Sequence, residues 1–308
     1  MHRLIFLSPI YVFYLLISSF LISDSDDQSQ HPEPAPIAPG IISTEMGEFN
    51  PTFDVVRGEF YFMRRTPGLF DYTIMMSKKN DSGWSEPEVA PFSGKYRDDS
   101  PQLSSDGNTL YFDSSRPHPD VAPNSINIWK TERTESGWSE PMLVVPASVN
   151  EADESIPGRD EFGPVLDGEQ NLVFYSFRSP YRGGKRFRLT AESDYEILEE
   201  IESIPDPSLR TFVSYLTFSA DGNTALMDGR HPDRRDSGIF YSCKLEDNSW
   251  SEAKLLPKIN TTSSESGPRL SSDGKWLFYV SNAPATLPLE PNGDIYAITT
   301  KDLPIPCK

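Results

Sequence analysis

The chain has 308 residues, with 28 Lys plus Arg against 46 Asp plus Glu, a formal charge of −18. That charge opposes a phosphate backbone and an anionic lipid surface, which argues against nucleic-acid binding and confines any membrane contact to an apolar N-terminal segment. The 28 Pro and 19 Gly exclude a long helical bundle, and 12% aromatic residues exclude full disorder, leaving a loop-rich, acidic, all-β protein.

Residues 1–23 begin with His2-Arg3 and continue as an apolar run from Leu4 to Ile22, closed by Asp24, Asp26 and Asp27. A short basic start, an apolar stretch and a polar exit read as a secretory signal; the same run is long enough to serve as an uncleaved anchor. Both readings export the remainder, to the periplasm or the exterior, with membrane contact only through this segment. Residues 24–39 carry Pro32, Pro34, Pro36 and Pro39 and read as an extended linker.

Repeats follow. The stretch 99–112 (DSPQLSSDGNTLYF) recurs at 266–279 (SGPRLSSDGKWLFY), with a third copy at 216–227 (LTFSADGNTALM). Degenerate copies surround Pro51 and Pro164. With Pro51, Pro101, Pro164, Leu216 and Pro268 equivalent, the steps are 50, 63, 52 and 52 residues. Trp84-Ser-Glu-Pro87, Trp138-Ser-Glu-Pro141 and Trp250-Ser-Glu-Ala253 form a second marker, spaced 54 and 112, so one copy is missing from the third repeat. An Ile-Tyr-like run lies between the markers. Each period reads as four short antiparallel strands a to d, with strand a ending at an Asp-Gly hairpin turn. A period near 50 of this kind predicts a five-bladed β-propeller, 40–302, with a sixth blade inside the long third repeat as the alternative. The last repeat lacks its strand d, so the N-terminal stretch 41–48 is expected to supply it and close the ring, leaving 303–308 as a tail. The repeated Trp reads as packing between blades.

These motifs resemble the TolB-like β-propeller repeat, whose core is Pro-x-Phe-Ser-Pro-Asp-Gly-Lys-x-x-Tyr-Phe-x-Ser-x-Arg followed by Asp-Ile-Tyr. Residues 100–116 with 126–130, and 266–282 with 294–297, carry the likeness, which spans about 40–300. Ser105 and Ser272 replace the second Pro of the pattern. The resemblance implies the propeller fold strongly and function weakly, because the repeat occurs in periplasmic binding proteins, surface proteins and the propeller domains of peptidases.

Three residues before the strand-a Pro stands an acid in four repeats: Glu48, Asp98, Glu161 and Glu265. Four carboxylates would ring one mouth of the channel, as a ligand-polarising surface or a cation site taking Ca²⁺. The competing reading pairs them with arginines just past strand b, Arg65, Arg116, Arg178 and Arg230, as ion pairs between blades. His118 and His231 occupy similar b–c loops and would need a third ligand to hold a metal. Cys243 and Cys307 are either bridged or two free thiols. The functional expectation is an exported, non-enzymatic binding or scaffold propeller. Its partner would be an envelope protein or a small ligand at the channel mouth, with no resident cofactor. The alternative is a carbohydrate-active hydrolase or lyase using paired carboxylates at that mouth.

Overall fold

A computed structural model describes residues 33–65, 72–144, 160–176, 185–191, 194–197, 215–230, 236–282 and 293–307. Strand β1 is Ala35–Pro36. Blade 1 follows as β2 (Glu48–Asp54), β3 (Glu59–Arg64), β4 (Thr73–Asn80), β5 (Gly83–Trp84) and β6 (Glu88–Val89). Blade 2 is β7 (Asp98–Leu103), β8 (Thr109–Ser114), β9 (Asn127–Thr134), β10 (Gly137–Trp138) and β11 (Met142–Leu143). Blade 3 is β12 (Glu161–Leu166), β13 (Leu172–Ser176), β14 (Lys185–Ala191) and β15 (Asp194–Ile197). Blade 4 is β16 (Leu216–Phe218), β17 (Thr224–Arg230), β18 (Ser237–Cys243) and β19 (Lys254–Leu255). Blade 5 is β20 (Glu265–Leu270), β21 (Trp276–Ser281) and β22 (Asp294–Thr299), completed by β1.

Among the described residues five antiparallel sheets stand where five repeats were expected, and the long third repeat contributes one blade. The innermost strands β2, β7, β12, β16 and β20 pack each against the next, and β20 packs on β2, so the ring closes. The closing strand lies earlier than expected. Ala35 pairs with Ala297 and Pro36 with Tyr296, inside the Pro-rich stretch 24–39 rather than at 41–48. An edge strand tolerates Pro because its outer N–H has no ladder partner to lose. The stretch 41–48 turns inward instead and buries Ile42 completely, beside Phe53, Phe60, Phe278 and Ile295 between blades 5 and 1.

Local chemistry explains the repeat. In the a–b turn of blade 2, the Ser104 hydroxyl donates to Asp106 at 2.6 Å and Asp106 accepts the Asn108 N–H at 2.9 Å. Ser271 and Asp273 form the same turn in blade 5. Gly107 and Gly274 supply its left-handed residue, at φ 69° and 68°. In the c–d turn, the Ser of the Trp-Ser-Glu marker clamps strand c. Its hydroxyl accepts the N–H of Lys78, Glu132 or Cys243, and its carbonyl accepts the hydroxyl of Ser77, Thr131 or Ser242. Each marker Trp packs against the preceding blade: Trp84 in the cluster holding Phe278, Trp138 on Tyr61, and Trp250 in the cluster holding Val165 and Val173.

The two cysteines are joined, Cys243 to Cys307, with Cα atoms 5.1 Å apart. Leu303 is buried in the cluster shared by blades 4 and 5, with Ile305 packed against it, so the segment read as a tail is part of the core up to Cys307.

Candidate functional site

In β2, β7, β12 and β20 the pairing with the next strand slips at one place, between Phe49 and Thr52, Asp99 and Gln102, Phe162 and Val165, and Ser266 and Arg269. The bulged residue stands immediately before the repeat Pro. Asn50, Ser100, Gly163 and Gly267 all take positive φ, 48°, 52°, 59° and 60°. A residue before Pro is disfavoured in the right-handed helical region, and bulges concentrate at rims and functional sites. The bulges bring a polar cluster together at the axis.

Asn50 donates to Asp99 at 3.0 Å and to the Ser100 hydroxyl at 3.3 Å. Asp113 on β8 accepts the Gly163 N–H at 3.1 Å, and Asp228 on β17 accepts the Gly267 N–H at 3.0 Å, so two aspartates each hold the bulge of the following blade. Asp228 also accepts the Tyr215 N–H at 2.7 Å. Arg269 is 1% exposed and donates to the carbonyls of Leu216 and Pro268. Its Nε and Nη2 find no acceptor among the described residues, and its guanidinium lies 5.5 Å from the Tyr215 ring. The neighbouring cavity, lined by Gly163, Val165, Val173, Tyr175, Arg186 and Tyr215 among others, is about 10 Å³. That is about the room one water needs.

Burial, with the charge of Asp99 added, pushes the Asp113 carboxyl up to about 7, and burial pushes Asp228 up to about 6. In the folded chain these groups hold protons that the unfolded chain, with Asp near 3.8, has released. Their contribution to stability is therefore complete below about pH 4 and is lost as pH rises through 6 and 7. Asp113→Asn keeps an acceptor for Gly163 and removes the titration. We expect the loss of unfolding free energy between pH 5 and 8, followed by urea denaturation, to shrink by on the order of 2 kcal/mol in that variant. An unchanged slope would place the titration elsewhere.

The four acids predicted to ring the mouth are fully buried: Glu48, Asp98, Glu161 and Glu265. Each opens its strand a opposite the last residue of strand b: Arg64, Ser114, Ser176 and Ser281. Glu48 accepts the Thr44 N–H and hydroxyl and Arg64 Nε, at 2.9, 2.6 and 2.9 Å. Asp98 accepts the hydroxyls of Ser93 and Ser114 and Arg116 Nη2, at 2.8, 2.6 and 2.8 Å. Glu161 accepts the Ser176 hydroxyl, and Glu265 those of Thr261 and Ser281. The pairs thus lie within blades, where pairing between blades was expected, and Arg64 takes the place anticipated for Arg65. Pairing between blades does occur elsewhere: Arg133 of blade 2 binds Glu59 of blade 1, which also accepts the Tyr61 hydroxyl, and Tyr61 accepts the Trp138 N–H.

Arg230 ends β17 and is exposed. His118 lies 3.6 Å from Asp120, with its ring against Trp129. Arg178 and His231 fall outside the described residues. No three His, Cys, Asp or Glu side chains gather as a metal cluster among the described residues.

Sequence reasoning passed over Asn50, Asp113, Tyr215, Asp228 and Arg269. The signal was present. Asn50, Ser100, Gly163, Tyr215 and Gly267 form one column of the repeat, and Asp113 and Asp228 form another.

No family model matches the sequence, and no curated protein matches it. Solved structures do. An endo-arabinase from Bacteroides thetaiotaomicron is 13% identical over 84% of this chain and 96% of its own, with a TM-score of 0.51. A family GH43 endo-arabinanase from Bacillus licheniformis is 14% identical over 84% and 96%, with a TM-score of 0.51. TolB from Acinetobacter baumannii is 12% identical over 83% of this chain, with a TM-score of 0.48, and the chain spans only 55% of TolB's length. Likeness at these identities is one of fold.

Proposed function

We propose that the chain is an exported propeller of TolB-like repeats that binds a ligand or an envelope partner at its axial mouth and does not turn it over. The observation that carries this reading is the closure of the axial carboxylates. Asp99, Asp113 and Asp228 are 6%, 1% and 7% exposed, and each accepts a polar hydrogen from the protein itself. Glycoside hydrolysis needs two carboxyl groups flanking the scissile bond, both within reach of a sugar ring. The cavity lined by Gly163, Tyr175 and Tyr215, near one water in size, does not admit that ring. Export is supported by the Cys243–Cys307 bridge, which suits an oxidising compartment. The apolar run at residues 4–22, outside the described residues, supports it further.

Hydrolysis is the second reading, favoured by the raised Asp113 carboxyl and by the fold likeness to an endo-arabinase and an endo-arabinanase. Incubation with arabinan, and with a panel of neutral and acidic polysaccharides, separates the two. We expect no release of reducing ends above that of an Asp113→Asn/Asp228→Asn variant. Release abolished by those substitutions would overturn the binding reading.

A further inference from the structure

Arg57, Arg64, Arg116, Arg133 and Arg188 each hold a carboxylate in a close ion pair. Arg65, in contrast, is exposed with no carboxylate at ion-pair distance among the described residues, and Arg97 reaches Asp99 only at 3.9 Å. In a chain of charge −18, these two cations lie together. Arg65 sits 5.9 Å from the Phe49 ring and 5.9 Å from the Tyr72 ring; Arg97 sits 4.5 Å from the same Tyr72 ring. Sharing one ring bounds the separation of the two guanidiniums at about 10 Å, close to the ~8 Å over which physiological salt screens charge.

The row Phe49, Arg65, Tyr72, Arg97, Asp99, Asn50 descends from solvent to the axis. Arg65 is exposed; Phe49, Tyr72 and Arg97 are half-buried; Asp99 and Asn50 are buried. At its foot lies Arg269, buried with two N–H-bearing nitrogens unsatisfied. Buried guanidinium nitrogens without acceptors are costly, which makes the foot of the row a place for an oxygen-bearing occupant, water included.

We propose that this row is a binding site for an acidic saccharide, with a uronate carboxylate between Arg65 and Arg97. The inference rests on the binding reading above and names its ligand class. Guanidinium forks match planar carboxylates. The rings of Tyr72 and Phe49 offer faces to the apolar side of a sugar. A polyacidic peptide has no such apolar face to lay on these rings; Asp99, buried at the inner end 3.9 Å from Arg97, stays out of contact with the ligand. The buried acids of the four repeats take no part.

The test is calorimetric titration of the intact protein at low salt with three probes: trigalacturonic acid, its methyl ester and hexaglutamate. Trigalacturonic acid is expected to bind. The methyl ester is expected to bind at least tenfold more weakly, and hexaglutamate not to bind. Arg65→Gln and Arg97→Gln should each weaken the acid at least tenfold with an unchanged thermal midpoint. Equal binding of acid and ester removes the carboxylate from recognition and overturns the proposal. So does tight binding of hexaglutamate, which would make the row a peptide site. Absence of binding by all three also overturns it. Polysaccharide turnover is read separately, so failure here leaves the choice between binding and hydrolysis to its own assay.

Discussion

Replacing Arg116 with Ala is expected to destabilise the fold by about 3–5 kcal/mol, the cost of leaving a buried ion without its partner. Asp98 is fully buried, and among the described residues Arg116 supplies its only cationic hydrogen bond. The guanidinium does more than neutralise. It also donates to the Phe92 carbonyl at 3.0 Å and covers the rings of Phe112 and Trp129 at 4.8 and 5.3 Å. Burial already pushes the Asp98 carboxyl up against the opposing pull of Arg116, so without the arginine it protonates more readily. The loss should therefore be larger at pH 8 than at pH 5, because at low pH the stranded carboxylate is relieved by a proton. The Asp98→Asn/Arg116→Met variant should recover part of the loss, since neither polar charge is left alone. Urea denaturation of the single and double variants at both pH values is the check. A loss below about 1 kcal/mol for Arg116→Ala would mean that the pair is solvated.

The second large effect is expected at the disulfide. Cys243→Ser/Cys307→Ser should cost about 2–4 kcal/mol. The bridge closes a loop of 64 residues, for which chain entropy alone gives about 4 kcal/mol. The loss should be felt first where the C-terminal segment packs, at Leu303 and Ile305 between blades 4 and 5. Hydrogen exchange should report faster opening of β18 and of residues 303–307 in the variant, with β3 and β8 unchanged. Equal loss of protection in all five blades would show that the bridge acts on the ring as a whole.

The blades are legible in sequence because the hairpin chemistry repeats. Ser104, Asp106 and Gly107 perform in blade 2 what Ser271, Asp273 and Gly274 perform in blade 5, and the marker Ser repeats in three c–d turns. The closing strand is less legible. A two-residue edge strand holding Pro36 carries no alternation, whereas Ile41 and Ile42 look like a strand and instead plug an interface. The site is the least legible part. Periodicity marks Glu48, Asp98, Glu161 and Glu265 as equivalent, but equivalence does not say which face of the strand they occupy. A bulge two residues later alters that alternation, and the carboxylates end inside the blades beside Thr44, Ser93, Ser114 and Ser176. Arg65 belongs to the repeated arginines past strand b, but Arg97 and the buried Arg269 have no counterpart in the other repeats, so no repeat announces them.

The central claim is that the repeat acids and axial aspartates are sealed inside the propeller. Carboxyl labelling of the native protein with a carbodiimide and an amine, read residue by residue by mass spectrometry, tests it most directly. Glu48, Asp98, Glu161, Glu265, Asp113 and Asp228 are predicted to stay unmodified while the exposed Glu86 and Glu88 react. Labelling of Glu161 or Glu265 at the rate of Glu88 would contradict the claim and return the acids to an open mouth.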